Sequence, residues 1–311
     1  MNIFKHSFDN PTDEEVEILE SYFRGYDYRG AGYTYIANYI WRNTHCLCWE
    51  VINDYLFMAG ADCMIADPNM AISMPLTKDG NYDREKFKEA VLEAKRRFDE
   101  RKRKFQMILI PGHMVEILED TFPGQMEFTH DRDDDEYVYL KEKLISLSGR
   151  ALHKKKNHMN YFLKNYSYEA RKLTAEDRDE VLAFTDRMRE AKDLDKDEAE
   201  SLLMESEAIG EMMNLIDLPE VYSAGIYIDG KLQAFSIGER LNEDTAVAHF
   251  EKADDSFRGL YQVIAREFCL NLPEEIVYVN REEDIGIPNL RKAKEALRPN
   301  HMEEKYSGCF L

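Results

Sequence analysis

Basic charge is scarce in this chain of 311 residues. Lys and Arg number 41 against 61 Asp and Glu, a net charge of −20 at pH 7. A surface of that sign repels bulk DNA and anionic lipid, which excludes a nucleic-acid coat; any polyanion must bind at a local basic spot. The deficit is even: residues 1–145 carry 18 bases against 28 acids, and residues 146–311 carry 23 against 33. Long apolar runs are also missing. No stretch approaches the roughly 18 residues of a membrane span, and the N-terminus lacks the apolar core of a secretory leader, so neither is expected. Cysteine is sparse. Cys46, Cys48, Cys63, Cys269 and Cys309 show no CxxC spacing, and an odd count of this kind is read as reduced thiols in a cytoplasm. Cys46 and Cys48 share a strand face, but no later His/Cys pair answers them, so both are expected to be buried apolar residues and no metal site is expected. No Walker loop, GxGxxG, HExxH or GxSxG occurs, which removes the common NTPase, dinucleotide, zinc-protease and serine-hydrolase readings. His113, His249 and His301 are isolated and are expected to be structural, and His6, His45 and His130 also lack a Ser or Cys nucleophile motif.

What is present suffices for a core. Hydrophobic residues make up 44% and aromatics 12%, and the length suggests about two domains at ~150 residues each. Pro11-Thr12-Asp13-Glu14-Glu15 is a helix cap with a negative first turn. Short strands are expected at 45–52, 55–60 and 70–75, with a break at Asp67-Pro68-Asn69. A charged helix follows at 83–104, with Phe87, Val91, Ala94 and Phe98 as its buried stripe. A strand over 105–110 stops at Pro111-Gly112. The second half repeats that order. It has helices at 174–191 and 197–217, then three strands at 222–228, 232–240 and 246–252 around an Asp229-Gly230 hairpin turn. A helix at 257–271, a strand at 276–280, a helix at 289–297 and a closing strand at 302–310 complete it. That is the element order of the acetyltransferase fold. The expectation is an α+β chain of tandem GNAT-like (acyl-CoA N-acyltransferase-like) domains with mixed central sheets. Their limits are 1–145, a basic linking helix at 146–168, and 169–311, packed around a shared cleft.

Three segments carry the candidate chemistry. Between Lys143 and Tyr168 there are six Lys or Arg and no acid. On a helix Arg150, Lys154 and Asn157-His158 share one face. They form either a phosphate-contacting helix for a nucleotide, tRNA or lipid head group, or a solvated connector answering the acids at Asp131–Glu136. Second, Asp255-Ser256-Phe257-Arg258-Gly259-Leu260-Tyr261 opens a helix after a strand. Its free N–H groups suit a pyrophosphate or carbonyl oxygen, although only one glycine is present; the alternative is an ordinary helix start capped by Ser256. Third, Asn280 to Lys294 places polar residues at a strand end, the usual place for a site in an α/β sheet. Arg291 and Lys294 lie at i, i+3 and suit an anion clamp, Asp284 suits a general base or amine-orienting group, and Tyr306 suits a proton donor. The alternative reads Asp284 as a turn residue, Arg291 as its ion-pair partner and Tyr306 as a core tyrosine.

Taken together, Ala37-Asn38-Tyr39-Ile40-Trp41, Tyr137–Leu140, Leu147–Arg150 with Lys154–Asn160, Asn280–Gly286, Leu290–Lys294 and Lys305-Tyr306 resemble the DUF2156 family. That family is similar to the C-terminal catalytic domain of phosphatidylglycerol lysyltransferase. The resemblance spans nearly the whole chain and is most specific over Asp284–Lys294. It implies a fold related to the Fem-type enzymes, which move an amino acid from aminoacyl-tRNA to an amine or hydroxyl acceptor. The expected function is acyl or aminoacyl transfer from an activated ester, with aminoacyl-tRNA as leading donor and acyl-CoA as alternative, to a small or lipid-linked acceptor. A non-catalytic anion-binding module on the same fold is the third reading. No bound cofactor is required. The catalytic candidates are Asp284, Tyr306 and Arg291. The substrate-binding candidates are Arg150, Lys154, Lys155, Asn157, His158, Arg258, Gly259, Asn280, Lys294 and Lys305. The expected partner is tRNA or another phosphate-bearing substrate at the basic patch, in a cytoplasmic protein; peripheral membrane contact is left open.

Overall fold

The computed structural model describes residues 3–61, 70–191 and 196–311; Cys63 and the Asp67-Pro68-Asn69 break lie outside them. The chain forms two compact units, Met1–Glu136 with Glu303–Leu311, and Tyr137–Met302. These differ from the limits of 1–145, 146–168 and 169–311 expected from the sequence.

The first unit opens with β1 (His6–Ser7) and α1 (Asp13–Phe23). Thr12 and Glu15 form the expected capping box of α1. Then come α2 (Tyr35–Ile40), α3 (Arg42–His45), β2 (Cys48–Ile52), β3 (Tyr55–Gly60), β4 (Ala71–Ile72), α4 (Arg84–Glu100), β5 (Gln106–Pro111), α5 (Val115–Thr121) and β6 (Met126–His130). The Phe87, Val91, Ala94 and Phe98 stripe of α4 is fully buried, as its spacing requires.

The second unit contains β7 (Glu136–Leu140), α6 (Lys141–Ser146), α7 (His153–Asn165), β8 (Glu169–Arg171), α8 (Arg178–Glu190) and α9 (Lys196–Asn214). These are followed by β9 (Val221–Ile228), β10 (Lys231–Arg240), β11 (Thr245–Ala253), α10 (Leu260–Asn271), β12 (Tyr278–Asn280), α11 (Pro288–Glu295) and β13 (His301–Glu303). The chain ends with β14 (Lys305–Phe310). Asp229 and Gly230 both take positive φ between β9 and β10, the geometry of the expected hairpin turn. The basic stretch begins as a single 3-10 turn over Arg150–Leu152 before α7. Leu152, Met159 and Phe162 are buried in the second unit's core.

The two sheets share a plan. Their orders are β1-β2-β3-β4-β5-β14-β6 and β13-β7-β12-β11-β10-β9-β8. In each, three antiparallel strands lead through one helix to a parallel neighbour: β4 beside β5, and β11 beside β12. Next in each sheet comes an antiparallel strand drawn from the other half of the sequence. β14, expected to close the second half, pairs with β5 and β6. β7, expected in the first half, pairs with β12. The chain therefore exchanges its two similar closing strands.

The thiol expectation holds for Cys48, Cys269 and Cys309, which are free. It fails for Cys46, which is disulfide-bonded, exposed and at the left-handed C-terminal cap of α3, so it shares no strand face with the buried Cys48. Among the described residues no helix is long and apolar enough to cross a membrane.

Candidate functional site

The end of β12 in the second unit is held by an unusually dense set of buried ionic groups. Asn280 is fully buried, and its side-chain oxygen accepts the Glu282 N–H at 2.8 Å. The backbone then enters the left-handed region at Glu282, Ile285 and Gly286. That conformation is costly for a β-branched residue, and Ile285 is 59% exposed, so burial of its own side chain does not repay the cost. Partners elsewhere must hold the loop.

Two side chains of α11 hold it. Arg291 donates to both oxygens of Asp284, from Nε at 2.9 Å and from Nη2 at 2.7 Å. The Tyr137 hydroxyl of β7 donates to Asp284 Oδ2 at 2.5 Å, and the Gly286 N–H to Oδ1 at 3.0 Å. Asp284 is completely buried. The Arg291 guanidinium, ahead of the opposing cost of burial and with help from Tyr137 and Gly286, holds its carboxyl well below the usual range. The second side chain is Lys294. Its ammonium donates to three successive carbonyls, those of Arg281, Glu282 and Glu283, at 2.5, 3.1 and 2.5 Å. Burial pulls it down to about 8, against the carboxylates of Glu282, Glu283 and Asp284. The sequence brings Asp284, Arg291 and Lys294 together as spacing suggests. The two cations, however, are engaged by the protein itself: one with a carboxylate, the other with the backbone.

A further group comes from β10 and β11. Ile237 pairs with Phe250, but Gly238 pairs with Ala248, so His249 is the extra residue of a β-bulge, a device that re-aims a side chain. Gly238 permits the close strand approach here, because a Cβ at that position would sit 1.8 Å from the Val247 carbonyl oxygen. The His249 ring bonds Glu239 Oε1 at 2.9 Å through Nε2 and Glu282 Oε1 at 2.7 Å through Nδ1. Beside it, Arg281 pairs with Glu251 at 2.5 Å. Burial alone would lower the His249 imidazolium, but the hydrogen bonds and charges of Glu239 and Glu282 outweigh it and raise it to about 10.

A folded-state value above the unfolded one stabilises the protein fully below the unfolded value of 6.5. The contribution is then lost as pH rises through about 10. Urea denaturation should therefore separate His249→Gln from wild type most at about pH 6 and least at about pH 10. A gap that stays constant over that range would mean the ring is not held as an imidazolium.

The basic segment and the helix-opening turn meet elsewhere in the same unit. His158, Asp255, Phe257, Arg258 and Gly259 help line an open cavity of about 280 Å³ at the start of α10. Lys154 and Lys155 of α7 stand close enough that, with burial leading and Arg258 contributing, they push the His158 imidazole down. Lys155 is lowered by burial and then by Arg281, which brings the loop's charge near α7. Arg258 lies 4.7 Å from the Tyr161 ring centroid. Arg150 and Asn157 are exposed and do not line the cavity. Gly259 takes φ +95°, and a Cβ there would lie 2.1 Å from the His158 carbonyl oxygen. The glycine is therefore required by α7, not by a ligand approaching the turn.

Lys305 and Tyr306 lie in the first unit, because β14 belongs there. Lys305 forms a buried pair with Glu136 at 2.7 Å. The Tyr306 hydroxyl donates to Glu304 at 3.0 Å, and its ring lies 5.0 Å from that of His130. Sequence reasoning named none of Glu239, His249, Glu251 or Glu282 as a site residue; His249 was expected to be structural. The available signal was a histidine directly after the apolar run Ala246-Val247-Ala248 of β11, with acids on β10 and in the loop after β12. Among the described residues no group of three His, Cys, Asp or Glu is placed to hold a metal ion.

The chain as a whole is similar to known proteins. The chain is 29% identical to a conserved protein of unknown function from Bacteroides thetaiotaomicron, with a TM-score of 0.86 over 97% of this chain and 99% of that one. It resembles L-PGS from Bacillus licheniformis with a TM-score of 0.65 at 12% identity, over 99% and 94% of the two chains. FemX gives a TM-score of 0.62 at 8% identity, over 97% and 96%. These last two likenesses establish the fold alone, a Fem-like α+β chain with two mixed sheets and flanking helices. An uncharacterized curated protein of Mycoplasmoides gallisepticum is 23% identical over 173 residues, and the match spans about half of each chain, 55% of this one and 54% of the relative. Residues 32–308 match the family described as phosphatidylglycerol lysyltransferase, C-terminal, and the chain belongs to that family.

Proposed function

We propose that this chain transfers an aminoacyl group from an activated ester, with aminoacyl-tRNA as donor, to an amine or hydroxyl acceptor that includes lipid-linked ones. The observation that carries this reading is that Arg258 shares one cavity with His158 and Asp255 and is flanked by Lys154 and Lys155, so that cations outnumber acids there in a chain of net charge −20. A local reversal of sign of this kind draws in a phosphate-bearing donor while the rest of the surface repels bulk polyanion. Membership of the lysyltransferase family and the fold shared with L-PGS and FemX support the same reading. The reaction needs two substrates held in register and a tetrahedral oxyanion stabilised, which positioning and fixed donors supply. A cytoplasmic setting, where charged tRNA is available, is part of the proposal.

The acyl-CoA alternative asks the backbone of the Arg258-Gly259 turn to approach a pyrophosphate. The bare face of Gly259 is instead occupied by the His158 carbonyl, which favours aminoacyl-tRNA over acyl-CoA. The test is transfer of labelled amino acid from lysyl-tRNA and alanyl-tRNA to vesicles of phosphatidylglycerol and phosphatidylethanolamine, with acetyl-CoA in parallel. Transfer from acetyl-CoA alone would reverse the order of the two donors. Lys154→Ala combined with Arg258→Ala should weaken aminoacyl-tRNA binding and flatten its log–log salt slope by about 0.7 for each single-strand phosphate that is no longer neutralised. Filter binding between about 50 and 200 mM salt reads this, and an unchanged slope would return α7 to a solvated connector.

A further inference from the structure

Glu282 is the outer member of a chain of three groups that leads inward from the loop. His249 and Glu239 are almost completely enclosed, with side-chain exposures of 1% and 3%, whereas Glu282 is 30% exposed. Its Oε1 is taken by His249. Among the described residues Oε2 has no hydrogen-bond partner. The residue is fixed at both backbone groups, its N–H on Asn280 and its carbonyl on Lys294. One oxygen is thus anchored and the other is open, on a backbone held at positive φ. Asp284, two residues on, is the opposite case. Both its oxygens are engaged by Arg291, Tyr137 and Gly286, and a carboxylate held that firmly in its ionised form is a weak base.

We infer that Glu282 is the general base of the transfer reaction, with His249 and Glu239 as the positioning residues behind it. The inference rests on the transfer reading and names the group that handles the proton. The lone pair of the acceptor attacks the ester carbonyl, and the new N–C or O–C bond forms as the acceptor's proton passes to Glu282 Oε2. The tetrahedral intermediate then collapses and the C–O bond to the donor breaks. The leaving oxygen takes the same proton back, so the carboxylate is restored and no outside co-reactant is needed.

Burial raises the Glu282 carboxyl, against the lowering influence of His249 and Lys294 and with Glu283 adding to the rise. Such a base sits nearer to working pH than a free carboxylate. His249, pinned between the carboxylates of Glu239 and Glu282, keeps the anchored oxygen in place.

The test uses the full chain, with lysyl-tRNA and alanyl-tRNA as donors and phosphatidylglycerol or phosphatidylethanolamine vesicles as acceptors. Glu282→Gln keeps the size of the side chain and can still hydrogen-bond His249. It should lose about 10²–10⁴ in kcat with KM little changed, and the acid limb of the kcat/KM profile should disappear. Glu282→Asp should recover part of the rate. Glu239→Gln should shift the acid limb without abolishing turnover. Wild-type kcat and an intact acid limb in Glu282→Gln would overturn the inference. So would a rate loss that tracks a fall in Tm and that Glu282→Asp does not relieve. A wild-type protein silent with both donors, on both vesicles, would end the transfer reading itself and this inference with it.

Discussion

Asp284→Asn is expected to lower stability by about 3 kcal/mol, the lower end of the cost of removing one partner of a buried ion pair. The carboxylate is fully buried, and its oxygens accept two bonds from Arg291, one from Tyr137 and one from Gly286. Asparagine keeps one acceptor oxygen but presents an amide to a guanidinium. Arg291 is 32% exposed, so water recovers part of the loss. The sign with pH follows from the depressed carboxyl. Its contribution is complete above the unfolded value of about 3.9 and disappears as pH falls through the lower folded value. The gap between wild type and variant should therefore hold from neutral pH down to about 4 and close in stronger acid. Urea denaturation across that range measures it. A variant with an intact fold and no transfer would instead give Asp284 a direct role toward substrate.

Gly259→Ala is expected to cost about 3 kcal/mol, combining a left-handed alanine with overpacking against backbone. At φ +95° the new Cβ would lie 2.1 Å from the His158 carbonyl oxygen. That atom belongs to α7 and cannot swing aside as a side-chain tip would. Relief requires α7 and the start of α10 to separate, which would also disrupt the cavity lined by His158 and Arg258. Gly230→Ala is the control. It too sits at positive φ, +73°, but nothing lies within 4 Å of its Cβ position, so only the backbone preference of about 1 kcal/mol is at stake. If the two substitutions prove equally mild by urea denaturation, the close packing at Gly259 is not what fixes this junction.

The candidate site was legible where chemistry depends on short spacing. Asp284 and Arg291 are seven residues apart across a Gly-Ile-Pro turn, and they meet because Pro288 starts α11 one helical turn before Arg291. Lys294 follows on the same helix, but its partners are three carbonyls, groups that no residue-type pattern marks. The basic segment and the Arg258-Gly259 turn were each visible. Their convergence depends on how α7 crosses the start of α10. The Glu239–His249–Glu282 chain escaped because it spans two strands and a loop, and because the bulge at His249 breaks the two-residue alternation from which strand faces are read.

Local order was written in the sequence itself: the capping box at Thr12, the buried stripe of α4, the Asp229-Gly230 hairpin, and the repeated run of antiparallel strands, helix and parallel strand. These depend on dihedral preference and on periodic burial, and both act over a few residues. The strand exchange was decided only in three dimensions. β7 and β14 are both short strands carrying tyrosine, and their local pattern does not name a partner strand. The choice rests on partners far away in sequence. Tyr137 reaches Asp284 across 147 residues, and the Lys305 backbone N–H reaches Asp135 across 170. Tyr306, grouped by sequence with Asp284, therefore belongs to the first unit, and Tyr137 takes the place beside Asp284.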